Sequence, residues 1–408
     1  MRVPSFIAAA LAATLLPAVA APWTLEQALE RAEQHSQSIR AARSGVAGAV
    51  EMARAAGRLP DPVLRAGVEN LPVTGADRYS STRDFMTMKR IGLSQEWRSA
   101  EKQSARRAAA QAMAGRAAVA VRAAAAETRL QTALAYVDAR HAEEVLALGA
   151  LTERRVREEL AAARARLASA SAGSAEVLAL TAAQGLAEDE SAGLHQQHSA
   201  ARNALERWVG VAVDALAPVA PAAGLPEAEY VAASPAVVAL EHDAEIARRD
   251  AAVAASERHP DWTWEVAYAQ RSGYSDMLSF GVSIPLQVDR AERQDRETTA
   301  RLVKVDQVEA ELAEARRVAG AEYRALAIDV ERLRQRIERW RTGVLAPAQQ
   351  RPIAALAAYR SNQGALAGVF EARQAEVDVQ RKLLELQRDL ARAQVRLAYK
   401  PLGTGSTP

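Results

Sequence analysis

Two stretches of the chain match each other at a separation near half its length, and this internal repeat constrains the architecture more than any other feature. Leu59-Pro60-Asp61 lines up with His259-Pro260-Asp261, and Gly92-Leu93-Ser94-Gln95 with Gly281-Val282-Ser283-Ile284. Val177-Leu178-Ala179 matches Val369-Phe370-Glu371-Ala372 more loosely. Each half reads as a helix, two short strands, a long helix, a turn and a second long helix. The strands rest on alternation: Trp262, Trp264, Val266 and Tyr268 share one face, while Thr263, Glu265, Ala267 and Ala269 share the other. Leu278, Phe280, Val282 and Ile284 alternate in the same way after a turn at Arg271-Ser272-Gly273-Tyr274-Ser275, so the pair reads as a hairpin. The first repeat carries a weaker hairpin, with Leu64, Ala66 and Val68 on one face and a longer loop holding Pro72 and Gly75. Strands are expected over about 63–70, 86–96, 262–270 and 276–285.

The helices rest on spacing. Leu326, Val330, Leu333, Ile337 and Trp340 step by four and three, as do Val379, Leu383, Leu386, Leu390, Ala393 and Leu397, the pattern of coiled-coil seams. From Ser99 to Ala168 there is no proline and there are two glycines, so one helix could reach ~100 Å at 1.5 Å per residue. Such a length has no use inside a globular domain. Long helices are expected over about 99–168, 175–208, 288–358 and 366–398, with a bend or local unwinding of the third where Gly343, Pro347 and Pro352 fall. Residues are 49% hydrophobic and 4% aromatic, so the buried surface is mostly alanine and leucine, as long packed helices require. The expected division is a signal peptide at 1–20, a first repeat at 21–208, a linker rich in Pro, Ala and Gly at 209–233, a second repeat at 234–400 and a disordered tail at 401–408.

Export is implied by the N-terminus. Met1-Arg2 precedes an apolar run from Val3 to Leu16 and then Ala18-Val19-Ala20, a small-x-small cleavage pattern. No later segment is apolar for the ~20 residues of a spanning helix, which leaves the periplasm, secretion or a β-barrel route into the outer membrane. The 52 basic and 50 acidic residues interleave along the helices, so nucleic acid is not an expected partner. The chain has no cysteine, which excludes disulfides, thiolate metal sites and cysteine nucleophiles.

Two hairpins give four strands per chain, whereas a membrane barrel needs at least eight and no free edge, so the chain is expected to oligomerise. Three copies supply twelve strands and gather the long helices into a second, α-helical tube; a dimer satisfies the count but makes a narrower lumen. Phe85, Trp262, Trp264, Tyr268 and Phe280 are the aromatic residues expected in the membrane barrel.

The residues around the second turn, Tyr359-Arg360, Gly364, Leu366 and Val369-Phe370-Glu371-Ala372-Arg373, resemble the periplasmic turn of the TolC family of outer-membrane efflux channels. The first turn, Ser171 to Ala179 with Gly173 and Glu176, is similar but degenerate. Leu59-Pro60-Asp61-Pro62, Asn70-Leu71-Pro72-Val73, Met86-Thr87-Met88 and Ile91-Gly92-Leu93-Ser94-Gln95-Glu96 resemble the heavy-metal branch of that family, the CzcC-like partners of resistance-nodulation-division (RND) pumps. The similarity covers nearly all of the mature chain. It implies a mainly α fold with a membrane β part, a homotrimer, and docking to a periplasmic adaptor and an inner-membrane RND pump. It also implies tip turns at Gly173, Tyr359 and Gly364, and Glu176 and Glu371 as candidates for the closed periplasmic entrance. Gly368 and Leu366 stand where the family carries a further acidic and a basic tip residue. A lipidated N-terminal cysteine, present in some relatives, has no counterpart, so the barrel alone is expected to anchor the chain in lipid.

Other candidates carry less. His195 and His198 lie three residues apart on a helix, but two ligands without a third make solvated surface histidines the better reading. Met86 and Met88 are explained as strand methionines without copper. The six histidines are scattered, and neither a Gly-x-Ser-x-Gly elbow nor a glycine-rich phosphate loop occurs, so no enzyme and no cofactor are expected. The competing functions are a periplasmic coiled-coil adaptor, and a channel of the same family for drugs or proteins.

Overall fold

The computed structural model describes residues 22–168, 173–220, 224–361 and 363–403. The expected signal peptide over 1–20 and the last five residues of the expected tail lie outside the described residues, as does 169–172 of the first turn. The chain runs α1 (Leu25–His35), α2 (Gln37–Ala55), β1 (Val63–Glu69), β2 (Met88–Trp97), α3 (Ala100–Ala168) and α4 (Ser174–Val209). It then repeats the order with α5 (Glu227–Ala232), α6 (Pro235–Ser256), β3 (Trp262–Gln270), β4 (Met277–Ser283), α7 (Gln294–Trp340), a π turn (Arg341–Leu345), α8 (Ala346–Arg360) and α9 (Leu366–Tyr399). Among the described residues no helix is long and apolar enough to cross a membrane.

Two compact units form, and they cut across the two halves of the sequence. One comprises Met1–His35, Thr132–Pro221 and Trp340–Arg388; the other comprises Ser36–Gln131, Ala222–Arg339 and Asp389–Pro408. Each unit takes segments from both repeats because the long helices continue from one into the other.

The second unit holds the sheet, four antiparallel strands in the order β1-β2-β3-β4. The pairing Leu93↔Val266 and Val266↔Phe280 joins the two hairpins into one surface. Helices pack in the same unit through small and aliphatic side chains: Val237 with Leu312 and Ala319, Ala244 and Ala247 with Val308, and Tyr230 with Leu326, Val330, Ala393 and Leu397. The seam spacing in the sequence thus corresponds to buried contacts. Leu402 is 1% exposed, packs with Val119 and Ala126, and donates its amide to Ala233 O at 2.7 Å. Pro401 and Leu402, expected in a disordered tail, are therefore tied down by apolar burial, while Gly403 is exposed.

Below the sheet, Lys102 is 2% exposed and places its ammonium 2.8 Å from Asp261 and 2.9 Å from Glu257, while Arg106 reaches the other Glu257 oxygen at 2.7 Å. This charge cluster clamps the start of α3 to the end of α6 and the entry to β3. Burial pushes the Glu257 carboxyl up, but hydrogen bonds from Lys102 and Arg106 and their charges outweigh it and hold the carboxyl below its ordinary range.

In the first unit, Trp23 pairs with Leu216 in an isolated bridge, with Trp23 N on Ala215 O at 2.9 Å and Ala217 N on Trp23 O at 2.8 Å. The buried Tyr136 hydroxyl lies between Trp23 O at 2.6 Å and Ala217 O at 2.8 Å. Burial raises its pKa to about 12. The linker expected over 209–233 is thus divided: its first part belongs to this unit, while α5 belongs to the other. Gly210 caps α4 with φ 77, and a Cβ there would lie 2.7 Å from the His35 ring, so both backbone and space demand glycine.

Two expected boundaries differ. Residues 288–293, expected as helix, form turns, and α7 begins at Gln294 with Asp295 and Glu297 in its first turn, where carboxylates meet the unpaired amides. The break expected near Gly343, Pro347 and Pro352 is a π turn containing Gly343, followed by Pro347 in the first turn of α8; Pro352 is accommodated inside α8.

Candidate functional site

The sheet is two-faced. The register and the two-residue period place Leu64, Ala66, Val68, Ile91, Leu93, Trp97, Trp262, Trp264, Val266, Tyr268, Leu278, Phe280 and Val282 on one side, together with Lys89, Gln95 and Gln270. These residues stand open: Leu64 is 67% exposed, Phe280 76% and Val282 66%. Contiguous exposed apolar surface marks protein–protein or membrane contact, a ligand groove or an aggregation liability. Trp97, Trp262 and Trp264 crowd the end nearer the helices, and Tyr268 stands toward the other end. The opposite face carries Arg65, Glu69, Arg90, Ser94, Glu96 and Glu265 among Gly67, Gly92, Ala267, Ala269, Ser279 and Gly281. Its charges pair: Arg90 reaches Glu69 at 2.7 Å and Glu265 at 2.8 Å. The outer strands β1 and β4 each have one neighbour, so the sheet has two free edges.

In the first unit, three helix ends converge on Arg166 in the last turn of α3. Its guanidinium pairs with Glu176 in the first turn of α4, and donates to the Tyr359 hydroxyl at the end of α8 at 3.2 Å. The Tyr359 hydrogen bond, followed by the charge of Glu176, raises the Arg166 pKa against the opposing effect of burial. Behind this cluster Leu160, Ala163 and Leu180 are buried, with Val177 and Phe370 packed on them. Gln363 N donates to Ala358 O at 2.8 Å, folding the chain back on α8; a Cβ on Gly364 would lie 3.3 Å from Ala358 Cβ, so glycine permits that close turn. Gly173 is the N-cap of α4 with extended backbone and no side-chain cap.

No protein-family model and no curated protein sequence matches the chain. Solved structures do. CusC, in a study of folding and transmembrane channel formation, superposes with a TM-score of 0.78 at 16% identity over 93% of this chain and 92% of that one. The outer-membrane channel OprN gives 0.77 at 16% identity over 94% and 91%. The outer-membrane protein VceC of Vibrio cholerae gives 0.73 at 19% identity over 92% and 96%. This chain has the fold of the TolC-type channels. The matched folds are channels rather than enzymes.

Within this TolC-type fold the residues singled out in the sequence fare differently. Trp262, Trp264, Tyr268 and Phe280 lie in strands on the apolar face. Phe85 does not: β2 starts at Met88, and Phe85 sits in the 70–87 loop with its ring 6.4 Å from Tyr274 of the β3–β4 turn. Met86 lies in the same loop, which contains three residues with positive φ, Asn70, Gly75 and Tyr79. Glu176 and Glu371 are not equivalent, since Glu176 is 14% exposed and paired, whereas Glu371 is exposed beside Phe370. His195 and His198 lie on α4, where burial, then the charge of Arg202, lowers the His198 pKa. Among the described residues no group of three or more His, Cys, Asp or Glu could hold a metal ion. Sequence reasoning missed Arg166 and Lys102, whose partners lie 10 and 159 positions away.

Proposed function

We propose that this chain is a protomer of an outer-membrane efflux channel, in which three copies close their four-stranded sheets into one barrel of twelve strands. The observation that carries the reading is the two-faced, open-edged sheet. An apolar and aromatic face of this size is stable against lipid, and a charged face against a water-filled lumen. Lipid does not tolerate the unpaired backbone of free edges, and closure by further copies removes them. In this reading Trp97, Trp262 and Trp264 form an interfacial belt, and the repeats 21–208 and 234–400 each give one hairpin and one helical pair to the assembly.

The partners are a periplasmic adaptor and an inner-membrane RND pump, and the cargo is a heavy-metal cation. The motifs around Leu59, Asn70 and Met86 that resemble the heavy-metal branch support this finer assignment. Glu371, exposed near the second tip, contributes to a ring of three carboxylates at the periplasmic entrance. Glu371→Ala should lower cation preference in single-channel recordings; unchanged preference removes that role.

Extraction separates the channel from a soluble adaptor. The channel stays in the membrane fraction through high-salt washing and needs detergent, whereas release by salt contradicts it. Growth and metal content of a deletion strain challenged with zinc, cobalt, cadmium, copper and silver then test the cargo. Sensitivity with accumulation supports metal efflux, and unchanged tolerance moves the cargo to organic molecules or proteins.

A further inference from the structure

On the charged face of the sheet, four side chains from three strands form a ladder: Glu69, Arg90, Glu265 and Arg65. Arg90 lies between two carboxylates, 2.7 Å from Glu69 and 2.8 Å from Glu265, and is 32% exposed. Arg65 is held differently. Its guanidinium is 68% exposed and comes no closer than 4.0 Å to Glu265, which is itself 27% exposed and already engaged by Arg90. Gly92 makes the arrangement possible, because a Cβ there would stand 3.2 Å from the Glu265 carboxylate and 3.1 Å from Ala267 Cβ.

We propose that Arg65 is the specificity-determining residue of the sheet segment of the pore, the charge that keeps this stretch of lumen neutral and so open to small anions as well as cations. The inference rests on the channel reading above. Two cations and two carboxylates cancel in each copy, and Glu96, the third carboxylate of this face, is paired with Arg98 at 2.7 Å. Neither the opposite side of the sheet nor a neighbouring copy can take over from Arg65. Leu64 and Ala66 flank it on the apolar face, and the edge strand β4 that would meet β1 in a closed barrel offers Met277, Ser279, Gly281 and Ser283 on this face, none of them charged. With Arg65 removed, each copy presents one uncompensated carboxylate, and symmetry repeats it around the lumen, where fixed charge of one sign concentrates the opposite ion.

The test uses the full-length, detergent-purified protein in planar bilayers under a potassium chloride gradient. Arg65→Gln should raise the potassium-to-chloride permeability ratio about threefold at moderate salt, Arg65→Glu should raise it further, and both shifts should shrink at 1 M salt, where the Debye length is ~3 Å. Glu265→Gln should move the ratio the other way, which keeps the inference testable should an Arg65 variant fail to assemble. Channels of normal conductance whose ratio is unchanged in Arg65→Gln and Arg65→Glu would overturn the role of Arg65 and leave the channel standing. Absence of current steps from the unaltered protein would instead overturn the channel reading beneath it.

Discussion

Adjacent residues on β4 give a stringent test of which side of the sheet meets lipid. Phe280 is the central residue of Met277–Ser283, 76% exposed, and shares a ladder row with Leu64, Leu93 and Val266. Ser279 points to the other side, in a row with Arg65, Gly92 and Ala267. An arginine at the bilayer midplane costs about 2–4 kcal/mol on the lipid face of a barrel. Losing the phenylalanine adds about 1.5–3 kcal/mol of lost apolar transfer. Phe280→Arg should therefore destabilise the inserted state by about 3.5–7 kcal/mol per copy, while Ser279→Arg, entering water beside small residues, should cost about 0–1 kcal/mol. Urea titrations in phospholipid vesicles read the difference directly, and Trp97, Trp262 and Trp264 on the apolar face give the fluorescence signal. Equal costs for the two variants, or a larger cost for Ser279→Arg, would refute the face assignment.

Three further outcomes follow from buried polar groups. Lys102→Met strips the ammonium from two carboxylates at a site 2% exposed and should cost about 3–5 kcal/mol, measured by the same titration. Because the folded Glu257 carboxyl titrates below its ordinary value of 4.5, its contribution is complete above that pH and fades as the pH falls below it. Acid unfolding curves should consequently lose part of their slope in Glu257→Gln. Tyr136→Phe leaves Ala217 O short of a donor and should cost about 1–2 kcal/mol. With its pKa raised from 10.0 to about 12, Tyr136 stabilises the fold fully below pH 10 and loses that contribution between pH 10 and 12, so the variant's thermal midpoint should fall less steeply over that range.

The parts of the fold legible in the sequence are those governed by a short period. Trp262, Trp264, Val266 and Tyr268 alternate with small or polar residues, and alternation alone fixes a strand and its two faces. Leu326, Val330 and Leu397 are spaced as a seam and are buried as one. Legibility fails where nonlocal contacts decide. Phe85 looks like the start of a strand because Met86-Thr87-Met88 follows, yet the Asn70 side chain binds Met86 O and the Thr87 hydroxyl binds Asn70 O, closing a loop that keeps Phe85 out of the ladder. Leu402 reads as tail because glycine and polar residues follow it, and only packing against Val119 and Ala126 shows otherwise. At the tip, the matching motifs suggested equivalent glutamates. Arg166 breaks that equivalence by pairing with Glu176, through a contact no local pattern encodes.

The measurement closest to the central claim is native mass spectrometry of the detergent-extracted protein. Four strands with open edges at β1 and β4 make three copies the expected assembly, closing twelve strands into one barrel. A mass of three chains, stable until the detergent is exchanged for denaturant, is the predicted result. A folded single chain that stays in solution without detergent would contradict it.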